Sequence, residues 1–123
     1  YDVYNNISEA NVEFEVKNSE KLSINNLLNY PNPFNNATTF HFDHNLNGQE
    51  MQVLIQIFTV NGKLAKTLSV NTLNDGTHFD KLFWDGKDDY GDKLANGVYI
   101  YKCKIQSPGH KMVEKTEKLV ILN

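Results

Sequence analysis

The chain has 123 residues, of which 40% are hydrophobic and 11% aromatic, enough for one ordinary core and against wholesale disorder. Its net charge of −3 is spread over interspersed acids and bases, which excludes the basic footprint of a nucleic-acid or anionic-membrane binder. No apolar run approaches the ~20 residues that cross a bilayer, and the opening YDVYNN is neither basic nor apolar enough for a signal peptide.

The dominant period along the chain is two, the mark of half-buried strands. NVEFEVK alternates Val12, Phe14 and Val16 against Glu13, Glu15 and Lys17. The polar stretch NSEKLSINN (18–26) follows, so residues 1–25 read as the end of a preceding β domain plus a linker, and 26–123 as one domain. The opening looks like mid-strand, as in a piece of a longer protein. TTFHFD then puts Phe40 and Phe42 on one side. MQVLIQIFTV has Met51, Val53, Ile55 and Ile57 on one face, with Leu54 and Phe58 adding partial burial on the other. Asn61-Gly62 predicts a two-residue type I′ hairpin into KLAKTLSV, because both central residues of that turn need positive φ. Asp75-Gly76 reads the same way before HFDKLFWD, where Trp84 is expected in the core. Asn96-Gly97 precedes GVYIYKCKI, which places Tyr99, Tyr101, Cys103 and Ile105 on one face, Tyr99 buried and Tyr101 undecided. Pro108-Gly109 turns toward a charged last strand, KMVEKTEKL running into KLVILN. The expectation is an all-β, immunoglobulin-like antiparallel sandwich of about seven to eight strands.

Candidate chemistry is sparse. Asp85, Asp88, Asp89 and Asp92 in WDGKDDYGDKL offer oxygen ligands of the kind Ca²⁺ takes, but the spacing is not that of an EF-hand loop. Asp and Gly are also what a tight turn selects, so a turn and a calcium site both stand. His41 and His44 are three apart on a strand, which sends them to opposite faces and away from a shared zinc ion. Cys103 lacks a neighbouring His or helix N-terminus and reads as a small buried hydrophobe. Ser8, Ser19, Ser23, Ser69 and Ser107 lack a nucleophile-elbow context. The residues assign no reaction, no cofactor and no metal beyond the calcium candidate.

From Asn29 onward the chain resembles a known pattern: NYPNPF (29–34), TTFHF, VLIQIFTVNGKLAKTL, FWDGKDDYGDKLANGVYIYK and a terminal KLVILN. It is similar to the C-terminal sorting domain of type IX secretion cargo, a family related to the immunoglobulin-like domain of the flagellar hook-capping protein. The resemblance covers about 95 residues. Its opening motif falls on Tyr30, Pro31, Asn32, Pro33 and Phe34, with the two prolines expected to fix an extended lead-in. The hairpin glycine falls on Gly62, the GVY motif on Gly97, Val98 and Tyr99, and the closing strand on Lys118, Leu119, Val120 and Ile121.

The resemblance is strongest to the gingipain-like sortases. It implies a non-catalytic module whose parent carries an upstream caspase-like cysteine peptidase domain, a role Cys103 does not inherit. It also implies export through the periplasm to the outer membrane and cell surface, with the type IX translocon and a PorV-like outer-membrane shuttle as partners and no direct membrane insertion. The short terminal strand is expected to be read by strand addition, and open sheet edges make a strand-exchanged dimer plausible. The alternative is a structural or adhesive Ig-like spacer of a bacterial surface protein, since fold does not fix function.

Overall fold

The alternation of apolar and polar residues is realised as seven antiparallel strands in the computed structural model, which describes residues 21–123. The predicted strand around Val12, Phe14 and Val16 lies outside the described residues, as do Ser8 and Ser19. The strands are β1 (Ile24–Tyr30), β2 (Thr38–His44), β3 (Glu50–Thr59), β4 (Leu64–Leu73), β5 (His78–Trp84), β6 (Gly97–Gln106) and β7 (Val113–Ile121). They form two sheets, β1-β2-β5 and β4-β3-β6-β7, packed face to face as an immunoglobulin-like sandwich.

The core fills the gap between the sheets. Phe40, Phe42, Phe79 and Trp84 come from the three-stranded sheet, and Val53, Ile55, Ile57, Tyr101, Cys103 and Ile105 from the four-stranded one. The rings interlock: Phe42 stacks on Phe79 with centroids 4.8 Å apart, and Phe40 meets the edge of Tyr101 at 4.9 Å. Each fully buried apolar side chain contributes about 1.5–3 kcal/mol relative to exposure. Trp84 is a core residue as expected, and its indole N–H donates to the Lys87 carbonyl at 2.9 Å. Both tyrosines are buried. The Tyr101 hydroxyl has no hydrogen-bond partner among the described residues, and burial pushes its pKa up.

Three local expectations are corrected. The β3–β4 loop is not a type I′ turn. Gly62 N–H donates to the Thr59 carbonyl and Thr59 N–H to the Lys63 carbonyl, while Asn61 is not among the residues with positive φ. This is a three-residue loop, a type I turn closed by Gly62 at φ +90° with a register shift between Ile57 and Phe58. Second, Asp75-Gly76 does not make a hairpin, because β4 and β5 belong to different sheets. The buried Asn74 side chain donates to the Leu46 carbonyl and Gly76 N–H to Asn47 Oδ1, so the chain crosses between sheets over the 45–49 loop. Third, β1 begins within the stretch read as a polar linker and runs through the suggested division between residues 25 and 26; Ile24, its first residue, and Leu22 just before it sit in the core.

Candidate functional site

The motifs at residues 30–34, 97–99 and 118–121 meet at one end of the sandwich. Leu119 and Ile121 of β7 are buried and pair with Tyr99 and Gly97 of β6, while Val120 pairs with Val98 and faces outward. Gly97 has φ +150°, and nothing lies within 4 Å of where a Cβ would stand, so backbone conformation rather than crowding selects glycine there. The Tyr99 hydroxyl donates to the Ala95 carbonyl at 2.8 Å. That is the tyrosine corner of immunoglobulin sandwiches, which pins the start of the strand.

The outer edge of β7 is occupied as well. Phe34 N–H donates to the Val120 carbonyl at 3.1 Å and Leu122 N–H to the Phe34 carbonyl at 2.9 Å, making a parallel bridge between Phe34 and Ile121. The Asn32 side-chain amide extends it. Its Oδ1 accepts from Val120 N–H at 3.0 Å and its Nδ2 reaches the Lys118 carbonyl at 3.4 Å, as a peptide group would. Beyond it, Asn123 N–H donates to Asn96 Oδ1 at 3.0 Å. Residues 118–122 are therefore bonded on both sides, which corrects the expectation of a terminal strand with an open edge for strand addition. The sequence shows no signal for this clamp, because its two sides are almost ninety residues apart.

Phe34 is buried against the edge of Trp84, 5.6 Å between centroids. The segment between Tyr30 and Phe34 bends rather than extends, with cis bonds before Pro31 and Pro33. A knot of hydrogen bonds holds the bend: Thr38 Oγ1 donates to the Pro31 carbonyl at 2.9 Å, and the buried Asn29 amide donates to Thr38 Oγ1 at 3.2 Å. Tyr30, Asn32, Val98 and Lys118 remain exposed at this junction. Gly62 lies apart from it, in the β3–β4 loop.

The Asp-rich loop works on backbone donors. Asp85 Oδ1 accepts from Lys87 N–H, and Asp88 Oδ1 from the N–H groups of Tyr90 and Asp92, both at 2.9 Å. Asp89 leans on the exposed edge of β4, accepting from Thr67 N–H at 3.3 Å and approaching Lys66 Nζ at 3.7 Å, while its own N–H donates to the Ala65 carbonyl. Covering a sheet edge in this way discourages pairing with other chains. Asp85 and Asp88 each serve a separate part of the loop, whereas the Asp89 carboxylate serves β4. Cys103 is fully buried, and burial pushes its thiol up to about 12, far from a thiolate at neutral pH. His41 and His44 do face opposite sides. His44 is buried, its Nδ1 accepting from Leu46 N–H, and burial holds its pKa below the ordinary value. His41 meets His78 of the neighbouring strand instead, a juxtaposition that depends on which strands pair and is invisible in the sequence.

The model of the FlgD Ig-like domain family matches residues 29–109, leaving the terminal strand outside the match. No curated protein matches the chain. Among solved structures, dimeric latent PorU from Porphyromonas gingivalis superposes with a TM-score of 0.75 at 27% identity, over 89% of this chain and 10% of that one. FlgD from Xanthomonas campestris, a hook-capping protein of flagellar assembly, gives 0.55 at 18% identity, over 81% and 67%. A β-glucuronidase from Parabacteroides merdae gives 0.61 at 8% identity, over 82% and 13%, a likeness of fold alone. The chain thus spans about a tenth of the length of PorU.

Proposed function

This chain belongs to the FlgD Ig-like domain family, and from that premise we propose that it is the C-terminal sorting domain of a PorU-like sortase, carried with its parent through the type IX secretion system. The domain itself is a non-catalytic Ig-like module. It presents its parent to the translocon and then to a PorV-like shuttle that holds it at the outer membrane, facing the cell surface. The peptidase chemistry belongs to a caspase-like domain elsewhere in the parent.

One observation carries this reading: the three sorting-type motifs, remote in sequence, converge on the clamped end of β7. Phe34, Tyr99, Leu119 and Ile121 build that end and Asn32 clamps it, whereas the exposed side chains of Tyr30, Val98 and Lys118 are available to a partner. The 27% identity to PorU over most of the chain is consistent with it. A partner that reads this end does so through side chains and loops, since the backbone edge is taken.

The test is export of a reporter fused to residues 21–123, which keep Leu22 and Ile24 in the core, in a type IX-competent bacterium. Surface delivery is the expected result, and periplasmic retention of a folded fusion refutes the reading. Tyr30→Ser and Val98→Ser, both exposed, should leave melting unchanged and lower delivery. Undiminished delivery by both would move the recognition surface elsewhere on the domain.

A further inference from the structure

Two β-bulges lie side by side in the three-stranded sheet. On β5, Asp80 and Lys81 both fall between the pairs Phe79↔Phe42 and Leu82↔Phe40, opposite the single residue His41. On β1, Asn26 and Leu27 fall between Asn25↔Asp43 and Leu28↔His41, opposite Phe42. Bulges re-aim side chains and gather near functional sites. Asn26 adopts φ +57°, uncommon for a residue other than glycine, and its amide donates to Asp43 Oδ2 at 2.9 Å.

The outer face of this sheet then carries a chain of contacts. Asp43 Oδ1 accepts from His78 Nδ1–H at 2.8 Å. Asn26 and His78 thus hold one oxygen each of the Asp43 carboxylate. His78 meets Asp43 through Nδ1, so its other ring nitrogen, Nε2, faces His41 and lies 3.2 Å from His41 Nδ1. His41, His78 and Asp80 each offer a ligand atom, all within 4.8 Å of one another. Two nitrogens bound to one tetrahedral Zn²⁺ at 2.0–2.1 Å would stand about 3.3 Å apart. A carboxylate on the far nitrogen of a ligating histidine is also the usual support of such sites, fixing the tautomer and raising ligand basicity.

We propose that His41, His78 and Asp80 bind a divalent late transition metal, Zn²⁺ or the more tightly held Cu²⁺, with Asp43 and Asn26 orienting His78. The ion replaces the proton shared by the two imidazoles and leaves room for water as a further ligand. It ties β2 to β5 on the exposed face, away from the β7 junction, and is independent of the sorting role.

Calorimetric titration of the EDTA-treated chain with ZnCl₂ near neutral pH tests this. One equivalent should bind. His41→Ala and His78→Ala should each weaken binding at least ~10-fold and Asp43→Asn by about 10–100-fold, with His110→Ala unchanged. Affinity that is undetectable, equal in the double variant H41A/H78A, or lost with H110A overturns the proposal. In the unmutated chain, Cu²⁺ should first broaden the amide signals of residues 41, 78 and 80; broadening centred elsewhere also overturns it. Because these side chains lie on the sheet exterior, the metal-free variants should keep the parental melting temperature.

Discussion

The two halves of the last strand are built on opposite principles. From Val113 to Glu117, β7 is charged and exposed, with Val113 only partly buried and Lys104 to Glu114 its one ion pair among the described residues, at 3.9 Å. From Lys118 to Leu122 it is buried at Leu119 and Ile121 and bonded along both edges. The first half has the look of an ordinary edge strand blunted by charge. The second is not an edge, because Asn32 and Phe34 act as a short parallel neighbour. The motif at residues 118–121 is thus part of the core, and removing it would confound any test of recognition with folding.

The largest effect expected from this contrast is for truncation after Glu117. Losing the burial of Leu119 and Ile121 costs about 1.5–3 kcal/mol each, before the lost hydrogen bonds, against a whole-domain stability of about 5–15 kcal/mol. Urea unfolding should therefore show a domain largely or wholly unfolded, not a folded domain that lacks only residues 118–123. A truncated chain with near-parental stability would break the comparison. Phe34→Ala comes next, at about 3–5 kcal/mol, the usual cost of deleting a buried aromatic. A loss as small as that of a surface substitution would mean that the opening motif does not support β7.

Asn32→Ala sharpens the contrast more finely. It removes the bonds to Val120 N–H and the Lys118 carbonyl at an exposed position, worth about 0.5–1.5 kcal/mol each at most. Hydrogen exchange should quicken at the Val120 amide and leave the amides of the first half alone. Thr116→Ala, in the charged half, should stay within about ±0.5 kcal/mol.

Much of the fold was legible because period-two patterning and burial agree along β2, β3 and β6; Met51 through Ile57 and Tyr99 through Ile105 alternate without a break. β1 was not, and the reason is local. The bulge at Asn26 spaces the inward residues Ile24 and Leu27 three apart, and Asn29 places a polar group inward where its amide ties Thr38. A period-two reading cannot see a strand whose alternation is broken and whose buried position is polar. The type I′ expectation failed at Asn61-Gly62 because only one of the two residues takes positive φ. Resemblance picked out the motif residues, but their convergence required the sheet order. The pairing of His41 with His78 required it too, since no spacing in the chain announces that β2 lies beside β5.

The mildest expected response is to pH, and it separates charge from burial as the source of strength. If the ionic half of β7 matters little, stability near neutrality should follow His44 instead. Burial holds the His44 pKa below its value of 6.5 in the unfolded chain, and its Nδ1 must stay unprotonated to accept from Leu46 N–H. The unfolded state then binds the proton more readily, so stability is full above about pH 6.5 and falls as the pH drops toward the folded-state value. His44→Asn keeps an acceptor oxygen for Leu46 and removes the titrating ring, so its melting temperature should vary less between neutral and mildly acidic pH. Glu114→Gln should leave that dependence unchanged. Should Glu114→Gln flatten the profile and His44→Asn preserve it, the charged half of β7 would be contributing what is assigned here to the core.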